Sequence, residues 1–99
     1  MQLVTDCSAL VLGFKAPWCP QCVPQKGVVE RISDRFGERM AFAYVDLNEE
    51  AAEEFKVASL PTLLLYRDGK LMTRLAGFTS ASKLISSIDS TLQAESTAR

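Results

Sequence analysis

The chain has 99 residues, of which 47% are hydrophobic and 23% are charged, and this composition favours a single globular domain over a disordered chain. Its net charge of −1 comes without a basic cluster, so binding to nucleic acid has no electrostatic support. No apolar run is long enough to cross a bilayer, and residues 1–6 lack the basic start and cleavage site of a secretory signal. We therefore expect one domain over residues 1–99, a cytoplasmic location and no membrane association.

The cysteine content limits the chemistry further. The sequence has three cysteines and no histidine, and this odd number argues against the fully paired framework of a small secreted protein. A closed zinc site takes four ligands, mostly nitrogen or sulfur, which this chain cannot supply without a carboxylate or a second chain. We expect neither a metal nor another cofactor. Cys7 is interpreted as a small apolar or surface thiol rather than as a regulatory cysteine.

The first predicted element is a strand over residues 9–14, a continuously apolar run that suits a central strand buried on both faces. A short segment, residues 1–8, precedes it, and Leu3 and Val4 could add a short strand there. The residues between that pair and Ala9 are too few for a crossover to a parallel partner, because such a crossover takes a dozen or more residues.

Two cysteines lie where the chain leaves this strand, in the stretch Trp18-Cys19-Pro20-Gln21-Cys22. Cysteines at this spacing, between a strand and a helix, can close a small disulfide ring or open to two thiols. The first sulfur would lie over unpaired backbone N–H groups at the start of the helix, where the local field favours a thiolate. Since the thiolate is the nucleophile of thiol–disulfide exchange, the stretch predicts a redox-active dithiol.

A helix is predicted over residues 21–36. Apolar residues at helical spacing form its inward stripe: Cys22, Val29, Ile32 and Phe36. Pro20 suits the first helical position, where its missing N–H has no partner to lose, and Gly37 suits the end of the helix. Pro24 is expected to distort the first turn without breaking the helix.

A second buried strand is predicted over residues 40–45. It should run parallel to the first strand because a helix connects the two. Asn48 is a suitable N-cap for a short helix that follows. These elements predict a β-α-β unit with a second helix after it.

The remaining elements are a hairpin and a last helix. Residues 63–66 and 71–75 flank the dipeptide Asp68-Gly69, which is a strong hairpin signal. Gly77 closes the hairpin, and Ser80 can cap a helix that leads to a polar, frayed tail, residues 93–99. The order β-α-β-α-β-β-α predicts an α/β fold with a mixed four-stranded sheet flanked by helices.

In this order, the motifs resemble those of the thioredoxin family. The matching features are the Trp18-Cys19-x-x-Cys22 motif, the turn at Leu60-Pro61-Thr62, the Asp68-Gly69 hairpin and Gly77. The match extends from about residue 9 to residue 92. It implies a thioredoxin-like fold and a thiol–disulfide oxidoreductase that reduces disulfides in partner proteins. It also implies a reductase as electron donor, with thioredoxin reductase expected, and we expect a monomer.

The resemblance implies a role for each cysteine of the motif. Cys19 would be the exposed nucleophile that forms a mixed disulfide with the substrate, and Cys22 would resolve it, leaving a Cys19–Cys22 disulfide. Pro61 would be a cis-proline packed opposite Cys19. The implied substrate groove consists of Pro17, Trp18, Leu60, Pro61 and Gly77, with simple core packing as the alternative for Trp18.

The sequence also departs from the family pattern. The dipeptide between the cysteines is Pro20-Gln21 rather than Gly-Pro, and the first strand and helix of the family are missing or reduced before Cys19. Gly13 stands where thioredoxins usually carry a buried aspartate, and we expect Phe42 to replace the lysine partner of that aspartate. The proton acceptor for the resolving cysteine would then be water.

Two alternatives stay open on the sequence. A proline after the first cysteine also occurs in glutaredoxins, so a glutathione-linked oxidoreductase is one of them. The other is a binding module of the same fold whose disulfide is inert.

Overall fold

The computed structural model describes residues 9–93. The predictions that concern residues 1–8, including the short strand at Leu3 and Val4 and the environment of Cys7, lie outside the described residues. Most of the predicted tail, residues 94–99, lies outside them as well, whereas Gln93 is still helical.

The regular elements of residues 9–93 follow the predicted β-α-β-α-β-β-α order. They are β1 (Ala9–Lys15), α1 (Cys22–Phe36), β2 (Ala41–Asp46), α2 (Glu49–Phe55), β3 (Thr62–Arg67), β4 (Lys70–Ala76) and α3 (Ala81–Gln93). A single 3₁₀ turn, Gly37–Arg39, connects α1 to the chain before β2.

The four strands form one mixed sheet in the order β2-β1-β3-β4. β1 pairs with β2 in parallel, as the connecting helix predicted, and β3 pairs antiparallel with both β1 and β4. β1 lies inside the sheet, and every residue in it except Lys15 is buried. The predicted mixed sheet and its central first strand are therefore confirmed.

The prediction that β2 is a buried strand is wrong in its burial. The strand exists, one residue later than predicted, but its residues are only half-buried and Asp46 is exposed. The reason is position: among the described strands, β2 pairs with β1 alone and lies at the edge of the sheet. An apolar run cannot by itself distinguish an edge strand from a central one.

Helices cover both faces of the sheet. On one face, α1 and α3 bury an apolar cluster that includes Val29, Ile32, Leu84 and Ile88 against the strands. On the other face, the chain around α2 buries a smaller cluster that includes Val57. Alternate residues of β1 point into the two clusters, which is why the strand is apolar throughout.

Local signals at the ends of elements behave as predicted. The Asn48 side chain accepts a hydrogen bond from the Ala51 N–H at 2.8 Å and caps α2. The hairpin turns on Asp68 and Gly69, whose φ angles of 54° and 80° are the left-handed values that a tight two-residue turn needs. The Ser80 hydroxyl accepts from the Lys83 N–H at 3.3 Å at the start of α3.

Candidate active site

A tight turn brings the chain from β1 into α1. The Cys19 N–H donates to the Ala16 carbonyl at 3.1 Å, and the Cys22 N–H donates to the Cys19 carbonyl at 3.2 Å. These bonds make residues 19–22 a turn, so α1 begins at Cys22, one residue after the predicted start at Gln21, and Pro20 lies in the turn and not in the first helical position. Pro24 is the third residue of the helix, where a backbone N–H has no partner within the helix, so the helix continues through it.

The two cysteines of this turn are joined by a disulfide bond, with their Cα atoms 5.4 Å apart. The expectation of an exposed Cys19 is wrong for this disulfide form, because Cys19 and Cys22 are 6% and 7% exposed. Their side chains form a small buried cluster with Ala16, against which Leu60 packs. Cys19 lines a surface depression on each side of the pair, and Cys22 lines one of these two with it.

The start of α1 leaves its positive end uncompensated beside the sulfur atoms. Within residues 9–93, the N-cap residue Gln21 makes no side-chain hydrogen bond to the helix, and the first helical turn contains no acidic residue. The aligned peptide dipoles of a helix place a partial positive charge at its start. This charge favours a thiolate over a thiol when the disulfide is opened.

The first depression, which we call the apolar flank, lies on the Trp18 side of the disulfide. It has a volume of about 290 Å³ and is lined by Trp18, Cys19, Pro20, Gln21 and Leu60. Trp18 is 71% exposed, so the alternative that it packs in the core is wrong. Pro17 is exposed next to it. An exposed aromatic beside a reactive pair is available for contact with a substrate.

The turn before β3 borders this flank. The Leu60–Pro61 peptide bond is cis, as the resemblance implied. The Pro61 side chain is almost completely buried and its carbonyl accepts from the Gly77 N–H at 2.8 Å, so Leu60 is the residue of this turn that lines the depression. The Thr62 hydroxyl donates to the Ser59 carbonyl at 2.7 Å and closes the turn.

The second depression, which we call the charged flank, lies on the Cys22 side. It has a volume of about 340 Å³, and its lining includes Cys19 and Cys22 together with Lys15, Lys26 and Asp46. The Lys15 ammonium group and the Asp46 carboxylate form an ion pair at 2.6 Å. This flank is not evident from the sequence, because its charged residues come from three separate elements, β1, α1 and β2.

Tyr44, and not Phe42, lies across from Gly13. The register of β1 and β2 pairs Gly13 with Tyr44 and Val11 with Phe42. A Cβ atom on Gly13 would lie 2.5 Å from the Tyr44 ring, so glycine at this position makes room for the tyrosine. The expectation of Phe42 at this position is wrong because the register between β1 and β2, which a single sequence does not show, places Phe42 opposite Val11.

The Tyr44 hydroxyl group is buried and finds no hydrogen-bond partner among residues 9–93. Burial, with a smaller contribution from Glu30, raises the pKa of Tyr44 to about 12. Tyr44 therefore stays protonated at neutral pH and cannot accept a proton from a thiol there. Gly13 and Tyr44 together leave this position without a base.

Gln25 is a second residue that the sequence analysis missed. It lies three residues after Cys22 in α1 and is 1% exposed. Its amide group donates to the Thr79 carbonyl at 3.1 Å and accepts from the Thr79 N–H at 2.7 Å. Gln25 thus connects the first turns of α1 to the loop after Gly77. Its position on the buried side of α1 could have indicated it from the sequence, but the predicted inward stripe of that helix was defined by apolar residues alone.

No group of three or more metal-ligating side chains occurs within residues 9–93. No helix in the same range is long and apolar enough to cross a membrane. The side chains at the site are the two cysteines and the polar and apolar residues that line the two flanks.

A disulfide-bonded Cys-x-x-Cys pair at the start of a helix, beside a cis-proline turn on a mixed sheet, is the arrangement of a thiol–disulfide oxidoreductase. The family model described as Thioredoxin matches residues 1–90 of the chain. This protein belongs to the thioredoxin family.

Individual relatives agree with this assignment. The thioredoxin of Bacillus subtilis is 32% identical over 76 residues, which are 75% of this chain and 73% of that protein. Thioredoxin 2 of Plasmodium falciparum is 35% identical over 83 residues, 82% of this chain, which spans about half (53%) of that longer protein. The X-ray structure of Fasciola hepatica thioredoxin superimposes with a TM-score of 0.81 at 32% identity, covering 91% of this chain and 88% of that one. These relatives do not favour the glutaredoxin-like alternative.

Proposed function

We propose that this protein reduces disulfide bonds in partner proteins through its Cys19–Cys22 pair. The observation that carries the proposal is a redox pair at an uncompensated helix start with an exposed Trp18 beside it. In the reduced protein, the Cys19 thiolate attacks one sulfur of the substrate disulfide. A bond forms between Cys19 and that sulfur, and the other substrate sulfur leaves as a thiolate that takes up a proton.

The second step is intramolecular. The Cys22 thiol loses its proton and attacks the Cys19 sulfur, the mixed disulfide breaks, and the second substrate sulfur leaves as a thiolate that is protonated. The substrate gains two electrons from the protein, which forms the Cys19–Cys22 bond, and two protons, one released by Cys22 and one taken from solvent. The role of Cys19 is supported by its place in the lining of both flanks, including the apolar flank beside Trp18. Their closeness makes the second step fast.

The proton of Cys22 passes to water in this proposal. Gly13 has no side chain, and Tyr44, with a pKa of about 12, is already protonated. Cys22 lines the charged flank, which is open to solvent and gives water a route to the sulfur. Water as the acceptor accords with the departure from the family at position 13.

The substrate chain lies along the apolar flank in this proposal. Trp18 and Leu60 line this depression, and Pro17 is exposed at its side. Pro61 and Gly77 hold the backbone of the adjoining turn through their mutual hydrogen bond. An extended substrate segment would pair with the backbone at Leu60, as strands add to an available edge.

The proposed electron donor is a thioredoxin reductase, and the proposed form is a monomer in the cytoplasm. Insulin reduction separates the donors, because NADPH with thioredoxin reductase and glutathione with glutathione reductase can each be supplied alone. Turnover with the first and not the second supports the proposal, and the reverse result contradicts it.

The roles of the cysteines are tested by trapping. Cys22→Ser removes the resolving sulfur, so reduced protein mixed with an oxidised protein substrate should accumulate a covalent adduct through Cys19 that dithiothreitol releases. Cys19→Ser is the matched variant and should give no adduct. Mass spectrometry of the digested adduct identifies the bonded cysteine, and an adduct through another cysteine would show that the roles are wrong.

A further inference from the structure

We infer that the charged flank is a subsite for a carboxylate that lies beside the disulfide of a polypeptide substrate, and that Lys26 is the residue that pairs with it. This inference rests on the proposed reduction of protein disulfides and names the kind of substrate that reacts best. The two flanks of the disulfide differ in chemistry, and this difference would orient the substrate across it.

The charged flank lies directly beside the reacting sulfur atoms. Cys19 and Cys22 both line the charged flank, so a substrate cysteine bonded to Cys19 places its neighbouring residues at this depression or at the apolar flank opposite. The volume of about 340 Å³ is large enough for a side chain. Val23 is 75% exposed at the rim and offers an apolar contact to the stem of such a side chain.

The charged flank contains one positive charge that no neighbouring group among the described residues compensates. The ionic groups that line the charged flank are two lysines and one aspartate. The ion pair between Lys15 and Asp46 largely compensates those two residues. Lys26 forms no ion pair within the described part of the chain, residues 9–93, so its ammonium group is the uncompensated charge of the flank.

The charges of this flank favour a negatively charged ligand. The positive end of α1 adds to the charge of Lys26, because no acidic residue stands in the first helical turn. A cation is therefore repelled and a carboxylate attracted. The rest of the chain carries a net negative charge, so the attraction is local to this flank and is not a general property of the surface.

The experiment compares two peptides with blocked termini and one internal disulfide that differ only at the residue next to one cysteine, which is glutamate or lysine. Fully reduced protein is mixed with each peptide in a single turnover, and the second-order rate constant is measured from loss of protein thiols. We expect the glutamate peptide to react about twofold to fivefold faster at low salt, within the range that exposed charge pairs span. The ratio should fall in 0.5 M KCl, because salt at this concentration screens the attraction over a Debye length of about 4 Å.

Two variants must change this ratio in opposite directions. Lys26→Gln removes the uncompensated cation and should bring the ratio towards one. Asp46→Asn frees Lys15 from its ion pair and should raise the ratio above that of the parent protein. Lys70→Gln is the matched control, since Lys70 is an exposed lysine at the hairpin turn, at the other end of β3 from Pro61, and the ratio should not change.

Each outcome decides the inference. Equal rates for the two peptides, an unchanged ratio in Lys26→Gln, or a lower ratio in Asp46→Asn would overturn it. Each ratio is measured within one variant, so a variant with lower overall activity still gives a valid answer. If neither peptide is reduced by the parent protein, the proposed function fails instead, and the two failures are thereby distinguished.

Discussion

A single glycine and the tyrosine beside it account for the main departure of this site from its family. Gly13 has no side chain, and the Tyr44 ring occupies the space that a Cβ atom there would need. The tyrosine ring contributes apolar packing against the cluster between the sheet and α1. Its hydroxyl group, however, is buried without a partner among the described residues, and such a group costs stability.

We therefore predict that Tyr44→Phe stabilises the protein at neutral pH by about 1 kcal/mol, because it removes a buried unpaired hydroxyl group and keeps the ring. Chemical unfolding in urea measures the change. Tyr66→Phe is a matched control: Tyr66 is the other tyrosine of the chain, and no unpaired buried hydroxyl group is found there among residues 9–93. Destabilisation by Tyr44→Phe would show that the hydroxyl group has a partner in solution.

The pKa of Tyr44 gives the same residue a pH signature. The pKa is about 10 in an unfolded chain and about 12 in the folded protein, so between these values the unfolded chain loses a proton that the folded chain keeps. Deprotonation therefore favours unfolding, and stability should fall as the pH rises from about 10 to about 12. Burial also raises the pKa of Tyr66, which adds to the fall. Tyr44→Phe should reduce the loss, and an equal loss in parent and variant would contradict this assignment.

At the scale of elements, side chains from one element satisfy the backbone of another. Gln25 of α1 pairs with both backbone groups of Thr79, and Gly77 in the same loop pairs with Pro61. This chain of contacts connects the helix that carries Cys22 with the turn that borders the apolar flank.

Two arginines of the sheet act in a similar way on the helices. The Arg67 guanidinium donates to the carbonyls of Thr91 and Leu92 near the end of α3. The Arg74 guanidinium donates to the carbonyls of Phe55 and Lys56 at the end of α2. The last carbonyls of a helix lack partners within it, so these arginines cap the two helices on the sheet.

For the Gln25 contact we predict that Gln25→Met lowers the free energy of unfolding by about 2 to 3 kcal/mol. Methionine keeps the length of the side chain but leaves the N–H and C=O of buried Thr79 unpaired. Hydrogen exchange should also speed up at the Thr79 amide more than at the amides of β1. The control is Gln21→Met, four residues earlier and exposed, which should change stability by less than about 0.5 kcal/mol. Equal effects of the two substitutions would contradict the role of Gln25.

For the whole molecule, the features predicted from sequence are those that local chemistry determines. The hairpin at Asp68-Gly69, the cap at Asn48 and the Cys19–Cys22 pair each depend on a few adjacent residues. The features that were missed depend on contacts between distant segments: the place of Tyr44 beside Gly13 follows from strand register, and the charged flank combines residues of three elements. A single sequence does not show which residues of distant segments lie side by side.

The disulfide links the redox state to the stability of the whole fold, and this gives a last prediction. The bond joins two cysteines only three positions apart in the sequence, so it restricts the unfolded chain little and should add only about 2 kcal/mol to the stability of the oxidised form. The start of α1 stabilises a thiolate in the reduced form by up to about 1 kcal/mol, and this reduces the difference in unfolding free energy between the oxidised and reduced forms. We therefore expect the oxidised protein to unfold in urea with a free energy about 1 to 2 kcal/mol above that of the reduced protein.

A gap this small leaves the disulfide reducible, as an electron carrier requires, whereas a gap above about 4 kcal/mol would indicate a structural bridge and support the inert binding module. The double variant Cys19→Ser, Cys22→Ser is the control, because its stability should not respond to dithiothreitol. A response in that variant would assign the redox dependence to Cys7. A gap of about 1 to 2 kcal/mol that disappears in the double variant would show that Cys19 and Cys22 carry the redox dependence and that the protein is folded in both redox states.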